Sequence, residues 1–251
     1  MCCASKRRAE AATVNRSEAQ PITPWPPEAV ERVAMRQTWR HLTFLHWRYA
    51  PAVVRPLLPP GLELDTFDQD AWIGLVPFEI CNLAGLPDFP ETNVRTYVVG
   101  PDGGRGVWFF SLDAARLLAV VGARIGYRLP YFWAAMQAAP EQDTVRYRSR
   151  RKWPHRPESA GILVKPGAEY DPQELTEHDH FLTARFCLYN VTGGRLGRAQ
   201  IEHPVWPLAR ASVLELNQTL IEAAGLPPPE GPPLVHYSAE IDVKIGYPRP
   251  C

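Results

Sequence analysis

The 251-residue sequence is poor in lysine and has no excess of charge of either sign. Only Lys6, Lys152, Lys165 and Lys244 are lysines, and 27 basic residues balance 27 acidic ones, so the formal net charge is zero. A chain without basic excess lacks the electrostatic basis for non-specific nucleic-acid binding. No apolar run approaches the ~18 residues that predict a membrane span. These absences exclude nucleic acid and a bilayer as expected partners.

Sequence motifs of several enzyme classes are also absent. There is no G-x-S-x-G, no H-E-x-x-H, no P-loop, and no G-x-G-x-x-G that opens a helix. The sequence therefore excludes the serine hydrolases, metalloproteases, P-loop nucleotide-binding proteins and dinucleotide-binding proteins that carry these motifs. The sequence predicts no cofactor.

The five cysteines are odd in number, widely spaced and without a C-x-x-C pair. With no secretory signal ahead of them, they indicate reduced thiols in the cytoplasm and no thiolate zinc site. Cys2-Cys3 beside Arg7 is compatible with acylation, although a disordered terminus is the simpler interpretation. His178-Asp179-His180 has the composition of a metal site, but an exposed loop is favoured, and no metal is predicted.

Residues 1–35 are expected to form a disordered tail, with a short helix near 28–35. From Arg36 onward, period-two alternation broken by Pro and Gly predicts many strands. We expect one α+β, mainly β domain over residues 36–251, whose antiparallel sheet curls or closes to protect its edges. Expected strands cover residues 38–49, 62–65, 71–81, 93–99, 106–113, 144–151, 161–165, 183–190, 198–202 and 235–245, and expected helices cover 52–58, 114–127 and 214–224.

Polar residues on one predicted strand form the first candidate site. Residues two apart share a strand face, so Glu91, Asn93, Arg95 and Tyr97 lie together opposite a face that packs well. The polar face either meets water and carries an ordinary Glu–Arg surface pair, which contributes little stability, or it lines a polar interior. The pattern alone leaves both interpretations open.

The first strand has mixed faces as well. Simple alternation places Arg40, Leu42, Phe44, His46 and Arg48 on one face. This arrangement suits a half-buried surface with charged rims, and it also suits a pocket in which arginine holds an anion bidentately.

Two further polar residues have competing interpretations. Asp113 precedes the expected helix at 114, so helix capping is favoured over catalysis. His203 precedes Pro204 and Pro207, which hold it rigidly at either a pocket rim or a packed corner.

Several ordered motifs resemble one family. They are Trp39–Arg48, Leu58–Asp65, Asn93–Val98, Val107–Asp113, Leu129–Tyr131 and His203–Leu208. Over about residues 36–245 the chain resembles the uncharacterised DUF2071 (YqjF-like) family, and through it the acetoacetate decarboxylase superfamily. The resemblance implies a cone-shaped antiparallel β-barrel around a buried pocket, with a few peripheral helices and assembly into a homo-oligomer.

The chain departs from that superfamily at the residue that performs the chemistry. Acetoacetate decarboxylases form an imine on a lysine in the motif Arg-Glu-x-x-x-Tyr-Pro-Lys-Lys. The corresponding stretch here runs from Arg124 to Phe132 and keeps the arginine and proline, but Tyr131 and Phe132 occupy both lysine positions. Tyrosine cannot form an imine, so decarboxylation by that route is not expected.

The resemblance supplies an active-site hypothesis. Arg40 matches the family's substrate-binding arginine and Glu91 its pocket glutamate, so Arg40, with Arg95, is expected to hold a small carboxylate or keto compound. Glu91 is the expected acid/base and Tyr131 the donor to a developing enolate, which suits a lyase or isomerase without a covalent intermediate. The predicted binding set also includes Asn93, Tyr97, His46 and Arg124.

Two other functions remain open at this stage. A binding module would hold an apolar or anionic metabolite unchanged, with the cavity lined by Trp39, Trp47, Trp108 and Trp133. A structural protein with a filled barrel would contain no cavity of ligand size.

Overall fold

The computed structural model describes residues 18–153 and 158–251. The acylation hypothesis for Cys2-Cys3 lies outside the described residues. Thirteen strands are present within them: β1 Val33–Tyr49, β2 Glu63–Leu64, β3 Ala71–Cys81, β4 Phe89–Val99, β5 Arg105–Ala114, β6 Tyr131–Glu141, β7 Thr144–Trp153, β8 Ser159–Glu169, β9 Cys187–Thr192, β10 Arg195–Glu202, β11 Leu208–Gln218, β12 Leu234–Gly246 and β13 Arg249–Pro250.

Four short α-helices connect these strands in the described residues, so the expectation of a mainly β domain with few helices is confirmed. They are α1 Pro51–Val54, α2 Leu117–Gly126, α3 Glu177–Thr183 and α4 Leu220–Ala223, with 3-10 turns at Arg55–Leu57 and Pro172–Glu174.

The strands form one sheet that closes on itself. Seven strands make a ring in the order β10-β9-β5-β4-β3-β1-β12, and pairing of β12 with β10 closes it. Four further strands, β6, β7, β8 and β11, leave the ring at β5 and rejoin it at β12, while the short β2 and β13 pair with β4 and β10. Most pairs are antiparallel as expected, but β5 runs parallel to both β6 and β9.

Strands β1, β3 and β4 form a wall that is buried on both faces. One face carries residues such as Phe44, Phe78 and Tyr97 into the core of the seven-stranded ring. The other face carries residues such as Leu45 and Val94 into a second core beneath β7 and β8. This double burial explains why the sequence of β3 is almost continuously apolar and does not alternate between apolar and polar residues.

A backbone irregularity at His41 reverses the faces of β1. His41 has φ +48°, in the left-handed region that non-glycine residues seldom adopt. Before it, the odd-numbered Gln37 and Trp39 point into the ring, and after it the even-numbered Leu42 and Phe44 do so. The simple alternation predicted for this strand is therefore wrong at Arg40.

Five points of the sequence analysis are corrected by the structure. No helix forms at residues 28–35, where the first strand begins at Val33. The sequence does not predict strand β6, and residues 214–218, expected to begin a helix, form the end of β11. Residues 177–183 are helix α3 rather than a loop, capped by Thr176. Asp113 does not cap a helix, because it lies inside β5.

Asp113 instead forms a buried ion pair. It is fully buried and accepts a hydrogen bond from Arg151 Nε at 2.8 Å and one from Ser149 Oγ at 3.2 Å. Arg151 Cζ also lies 3.8 Å from the centroid of the Phe132 ring. This pair links β5 to β7 and stabilises the connection between the ring and its four-stranded extension.

Residues 18–32 run along the outside of the ring. The Gln20 amide donates to Gly103 O at 2.9 Å, Arg105 Nε donates to Gln20 O at 2.6 Å, and the Val30 amide donates to Glu202 Oε2 at 2.7 Å. The domain boundary at residue 36 stays a prediction. Among the described helices, none has the length and apolar character to cross a bilayer.

Candidate functional site

The interior of the seven-stranded ring contains a cavity of about 80 Å³. A single water needs ~10–15 Å³, so the space exceeds that of one solvent molecule several times. All seven ring strands contribute side chains to its lining, and residues that follow α2 and α3 close its ends. The interior of the ring is therefore not completely filled by side chains.

A hydrogen-bonded carboxyl–phenol pair lies in this cavity. The hydroxyl of Tyr131 donates to Glu91 Oε2 at 2.8 Å. Glu91 is 4% exposed, and its burial raises the pKa of the carboxyl to about 8. Burial, together with the neighbouring Glu91, raises the pKa of the Tyr131 phenol well above its usual value. Near neutral pH the pair therefore holds an exchangeable proton on Glu91, while Tyr131 stays a neutral donor.

Tyr131 is positioned by the strand that the sequence did not predict. β6 begins at Tyr131, which pairs with Leu112 of β5. Leu112 in turn pairs with Asn93 of β4 on its other side. Arg124 Nη1 donates to the Tyr131 carbonyl at 2.6 Å and stacks on Trp153, with Cζ 5.1 Å from the ring centroid. Arg124 thus holds the backbone of Tyr131 from outside and does not line the cavity.

Asn93 and Arg95 follow Glu91 along the cavity face of β4. Both are more than nine-tenths buried, and neither Asn93 Oδ1 nor Arg95 Nε has a hydrogen-bond partner among the described residues. Arg95 Nη2 makes two long contacts of 3.4 Å, to Tyr97 Oη and to Leu182 O. In the part of the chain that the structure describes, no carboxylate lies within ion-pair distance of Arg95.

Arg185 is a second buried arginine in the cavity lining. Its Nη1 pairs with Asp65 Oδ2 at 2.6 Å, and its Nε donates to Phe181 O at 2.7 Å. Its Nη2 has no partner within the described residues. Arg185 follows the end of α3, whose last carbonyls accept from both arginines. One end of the cavity is therefore rich in unsatisfied N–H donors.

Tyr97 and His46 lie behind Arg95 and do not line the cavity. The Tyr97 hydroxyl donates to Leu182 O at 2.6 Å and lies 2.5 Å from His46 Nε2. Because that hydroxyl donates to the carbonyl, His46 Nε2 is the nitrogen that carries hydrogen. Burial, reinforced by Arg95 and other cationic neighbours, lowers the pKa of His46 well below its usual value, so the ring is neutral.

Arg40 lies outside the ring, and the expectation that it joins Glu91 and Tyr131 is corrected. Its Nε pairs with Glu240 Oε2 at 2.6 Å, and its side chain is 38% exposed. The physical reason is the irregularity at His41, which shifts the inward face by one residue. Of the three groups expected to converge, the structure brings together Glu91 and Tyr131, and Arg95 shares their cavity.

Arg185 is a lining residue that the sequence analysis did not identify. It lies in the segment 183–190, which the sequence predicts as a strand, and the available signal was an isolated arginine between Ala184 and Phe186. His203, in contrast, was a candidate for a pocket rim. His203 lines the cavity and packs on Phe186, with ring centroids 4.6 Å apart, and its burial lowers its pKa to about 4.

The aromatic lining differs from the expected one. Trp39 lines the cavity as predicted, and Trp206 lies beside it, with ring centroids 6.2 Å apart. Trp47 belongs to the second core, Trp108 packs on a separate small cluster, and Trp133 donates to Ala115 O.

The described lysines lie away from the cavity. Lys152 packs on the Trp133 ring, Lys165 pairs with Asp143, and Lys244 pairs with Glu202. Lys6 lies outside the described residues. Within those residues, no group of three His, Cys, Asp or Glu side chains is arranged to hold a metal ion. His178 stacks on Phe67 instead, and Asp179 accepts a hydrogen bond from His236 Nε2 at 2.8 Å.

Comparison with known proteins identifies relatives of the whole ring. The profile of DUF2071, described as an uncharacterized conserved protein, matches residues 36–242. The uncharacterized protein YqjF of Bacillus subtilis (strain 168) is 38% identical over 218 residues, which is 83% of this chain and 89% of that protein.

Solved structures share the fold at low identity. Acetoacetate decarboxylase from Legionella pneumophila superposes with a TM-score of 0.62 at 15% identity, over 99% of this chain and 98% of that one. The enduracididine biosynthesis enzyme MppR, complexed with pyruvate, gives 0.59 at 13% identity, over 89% and 93%. At these identities the likeness establishes an acetoacetate decarboxylase-like fold and no particular activity.

Proposed function

The chain belongs to the DUF2071 family, and from that premise we propose that it is a lyase- or isomerase-type enzyme that acts on a small carboxylate or keto compound without a covalent intermediate. One observation carries the proposal: a buried carboxyl whose pKa is raised to about 8 shares a cavity with a phenol donor and an unpaired arginine. A general acid/base works best when its pKa lies near the working pH. Among solved relatives of the fold, the protein crystallised with pyruvate supports an oxo acid as the ligand class.

The proposed step is a proton transfer at carbon. The Glu91 carboxylate removes a proton from the carbon next to the ligand's carbonyl, the C–H electron pair forms the C=C bond of an enolate, and the carboxyl later returns the proton. Oε1 is the atom that acts, because Oε2 accepts the Tyr131 hydroxyl. Once Glu91 is protonated it is a weaker acceptor, so the Tyr131 O–H turns to the enolate oxygen and stabilises it.

An imine mechanism is not part of the proposal. Tyr131 and Phe132 stand where the decarboxylase motif has lysines, and the described lysines lie away from the cavity. Borohydride reduction in the presence of acetoacetate or pyruvate should therefore leave the mass of the protein unchanged. A stable adduct would show that a lysine does react and would overturn this part of the proposal.

The direct test follows exchange of α-hydrogens of oxo acids and ketones for deuterium by NMR. Glu91→Gln should slow exchange at least about 100-fold, the lower range for a general base. The rate should rise with pH through about 8, because the carboxylate is the active form. Arg40→Gln is the control and should keep the wild-type rate, since Arg40 lies outside the ring. Equal rates for wild type and Glu91→Gln would refute the assignment.

A second candidate is a binding protein that leaves its ligand unchanged. The apolar side chains in the cavity lining, such as Trp39, Phe78 and Trp206, favour it. Native mass spectrometry of gently purified protein distinguishes the two functions, because a binding protein retains an intact ligand and catalyses no exchange.

Assembly into a homo-oligomer stays a proposal as well. Helix α2 exposes Leu117, Leu118, Val121 and Ile125, and apolar patches of this kind commonly mark interfaces. Light scattering on a size-exclusion column measures the mass directly, and a mass of one chain at micromolar concentration would contradict the proposal.

A further inference from the structure

The cavity has two chemically different ends along one strand. Glu91, Asn93 and Arg95 face the cavity in succession on β4. Residues two apart on a strand are separated by roughly 6.7 Å, so the Cα atoms of Glu91 and Arg95 lie about 13 Å apart. The proton-transfer pair and the buried arginine are therefore not adjacent groups.

The guanidinium of Arg95 packs against the rings of Tyr97 and Phe44, and its Cζ lies 5.3 Å from the Phe44 centroid. Its Nη2 contacts Tyr97 Oη and Leu182 O at 3.4 Å, and its Cζ lies 5.6 Å from the centroid of the Tyr97 ring. Tyr97 is the next residue along this face of β4, on the side opposite Glu91. Asn93 stands between Glu91 and Arg95 on this face of β4.

The arginine end lacks a counter-charge. Among the described residues, Arg95 forms no ion pair, and the single carboxylate of Asp65 serves both Arg185 and Arg105. Carbonyls at the end of α3 compensate part of the charge. Arg95 Nε and Arg185 Nη2 remain buried without partners, as does Asn93 Oδ1. A buried cation with free donors binds an anion, and a carboxylate matches the planar guanidinium.

The Glu91 end of the cavity has aromatic walls, since Phe78 pairs with Glu91 and Trp39 pairs with Ile80, two residues further along β3. The ring centroids of Trp39 and Phe78 are 5.2 Å apart, and those of Trp39 and Trp206 are 6.2 Å apart with planes inclined by 26°. Val76 and Leu112, which both pair with Asn93, line the space between the two ends with apolar side chains. Such a lining favours a flat, uncharged body over a polar or branched one.

We propose that the ligand is an extended monocarboxylate: its carboxylate binds between Arg95 and Arg185, a flat apolar body crosses the apolar section toward the aromatic walls, and a carbonyl group reaches Glu91 and Tyr131 at the far end. The inference rests on the proposed function for the role of that carbonyl, whereas the carboxylate subsite is independent of it. Oxo acids of two to four carbons, such as pyruvate, reach one end of the cavity and not both.

The test is calorimetric binding of four probes to the purified full-length chain: pyruvate, 3-phenylpropanoate, 3-(4-acetylphenyl)propanoate and the neutral ketone 4-phenyl-2-butanone. Affinity should increase in that order for the three acids. Arg95→Gln should weaken both phenylpropanoates at least about tenfold, as expected for a hydrogen bond between charged groups, and leave the neutral ketone within about twofold. Arg40→Gln, an exposed arginine variant, should bind all four probes as the wild type does.

Two results would overturn the inference: unchanged carboxylate affinity in Arg95→Gln, or pyruvate binding as tight as that of the acetylphenyl acid. Thermal unfolding of each variant without ligand checks that it folds. Deuterium exchange at the acetyl methyl group gives a separate readout. Graded binding without exchange would refute the proposed catalysis and leave the carboxylate subsite standing. Exchange with pyruvate as fast as with the acetylphenyl acid would refute the extended ligand and leave the catalysis standing.

Discussion

Replacing Glu91 with glutamine should remove one defined component of the pH dependence of stability. The Glu91 side chain is buried in the cavity wall, and burial raises the pKa of its carboxyl from 4.5 to about 8. In the unfolded chain the same carboxyl is solvated and ionises near its ordinary value. The two states therefore bind different numbers of protons over an interval of pH.

The sign and size of the effect follow from linkage. Between about pH 4.5 and 8 the folded state holds a proton that the unfolded state has released, so the free energy of unfolding falls as pH rises. The slope for one proton is about 1.4 kcal/mol per pH unit. Below this interval both states are protonated and the stability is fully present. Above it both are ionised, and the accumulated loss is on the order of 5 kcal/mol.

Urea denaturation of wild type and Glu91→Gln at fixed ionic strength from pH 5 to pH 9 measures this difference. Glutamine is isosteric with the protonated carboxyl, so the two proteins should be close in stability near pH 5. At pH 9 the variant should be more stable by several kcal/mol. Titrating groups that do not interact with Glu91 are common to both proteins and cancel in the difference. Glu230→Gln, at an exposed position, is the control. A wild-type-to-variant difference that stays constant from pH 5 to pH 9 would refute the reasoning.

Three further substitutions test the fold around the cavity. His41→Val places a β-branched residue at φ +48° and should unfold about 1–2 kcal/mol more easily than His41→Gly, and equal thermal stability would contradict the irregularity. Arg151→Met leaves Asp113 buried and unpaired, so urea denaturation should show a loss of about 3–5 kcal/mol, and a loss near zero would contradict the pair. Gly106→Ala puts a Cβ 2.6 Å from Cys187 O and should cost about 1–3 kcal/mol by separating β5 from β9; unchanged hydrogen-exchange protection of β9 would contradict that contact.

The polar face of β4 was predictable because that part of the strand is regular. From Glu91 to Arg95 its register with β3 has no shift, so simple alternation places Glu91, Asn93 and Arg95 on one face. The same rule failed at Arg40. A single residue with positive φ reverses the alternation, and nothing in the local sequence marks His41 as that residue.

The elements missed by the sequence analysis have weak patterns for physical reasons. Strand β6 is half-exposed along most of its length, and β11 contains Ala, Leu and Glu, which favour helices in isolation. Strand β6 is held by its hairpin with β7, and β11 by pairing with β8, which is distant in sequence. Helix α3 has seven residues, too few for a helical period to show, although Thr176 and Asp179 form a capping box at its start.

The wall of β1, β3 and β4 has a consequence for how this architecture can evolve. Each apolar side chain of the wall packs in one of the two cores. Most replacements there therefore disturb packing before they change which ligand the cavity accepts. Tyr131 and Arg185, in contrast, enter from segments that follow helices, outside the wall. Related proteins with this fold can therefore change substrate by replacing residues in those segments, while the wall that separates the two cores stays the same.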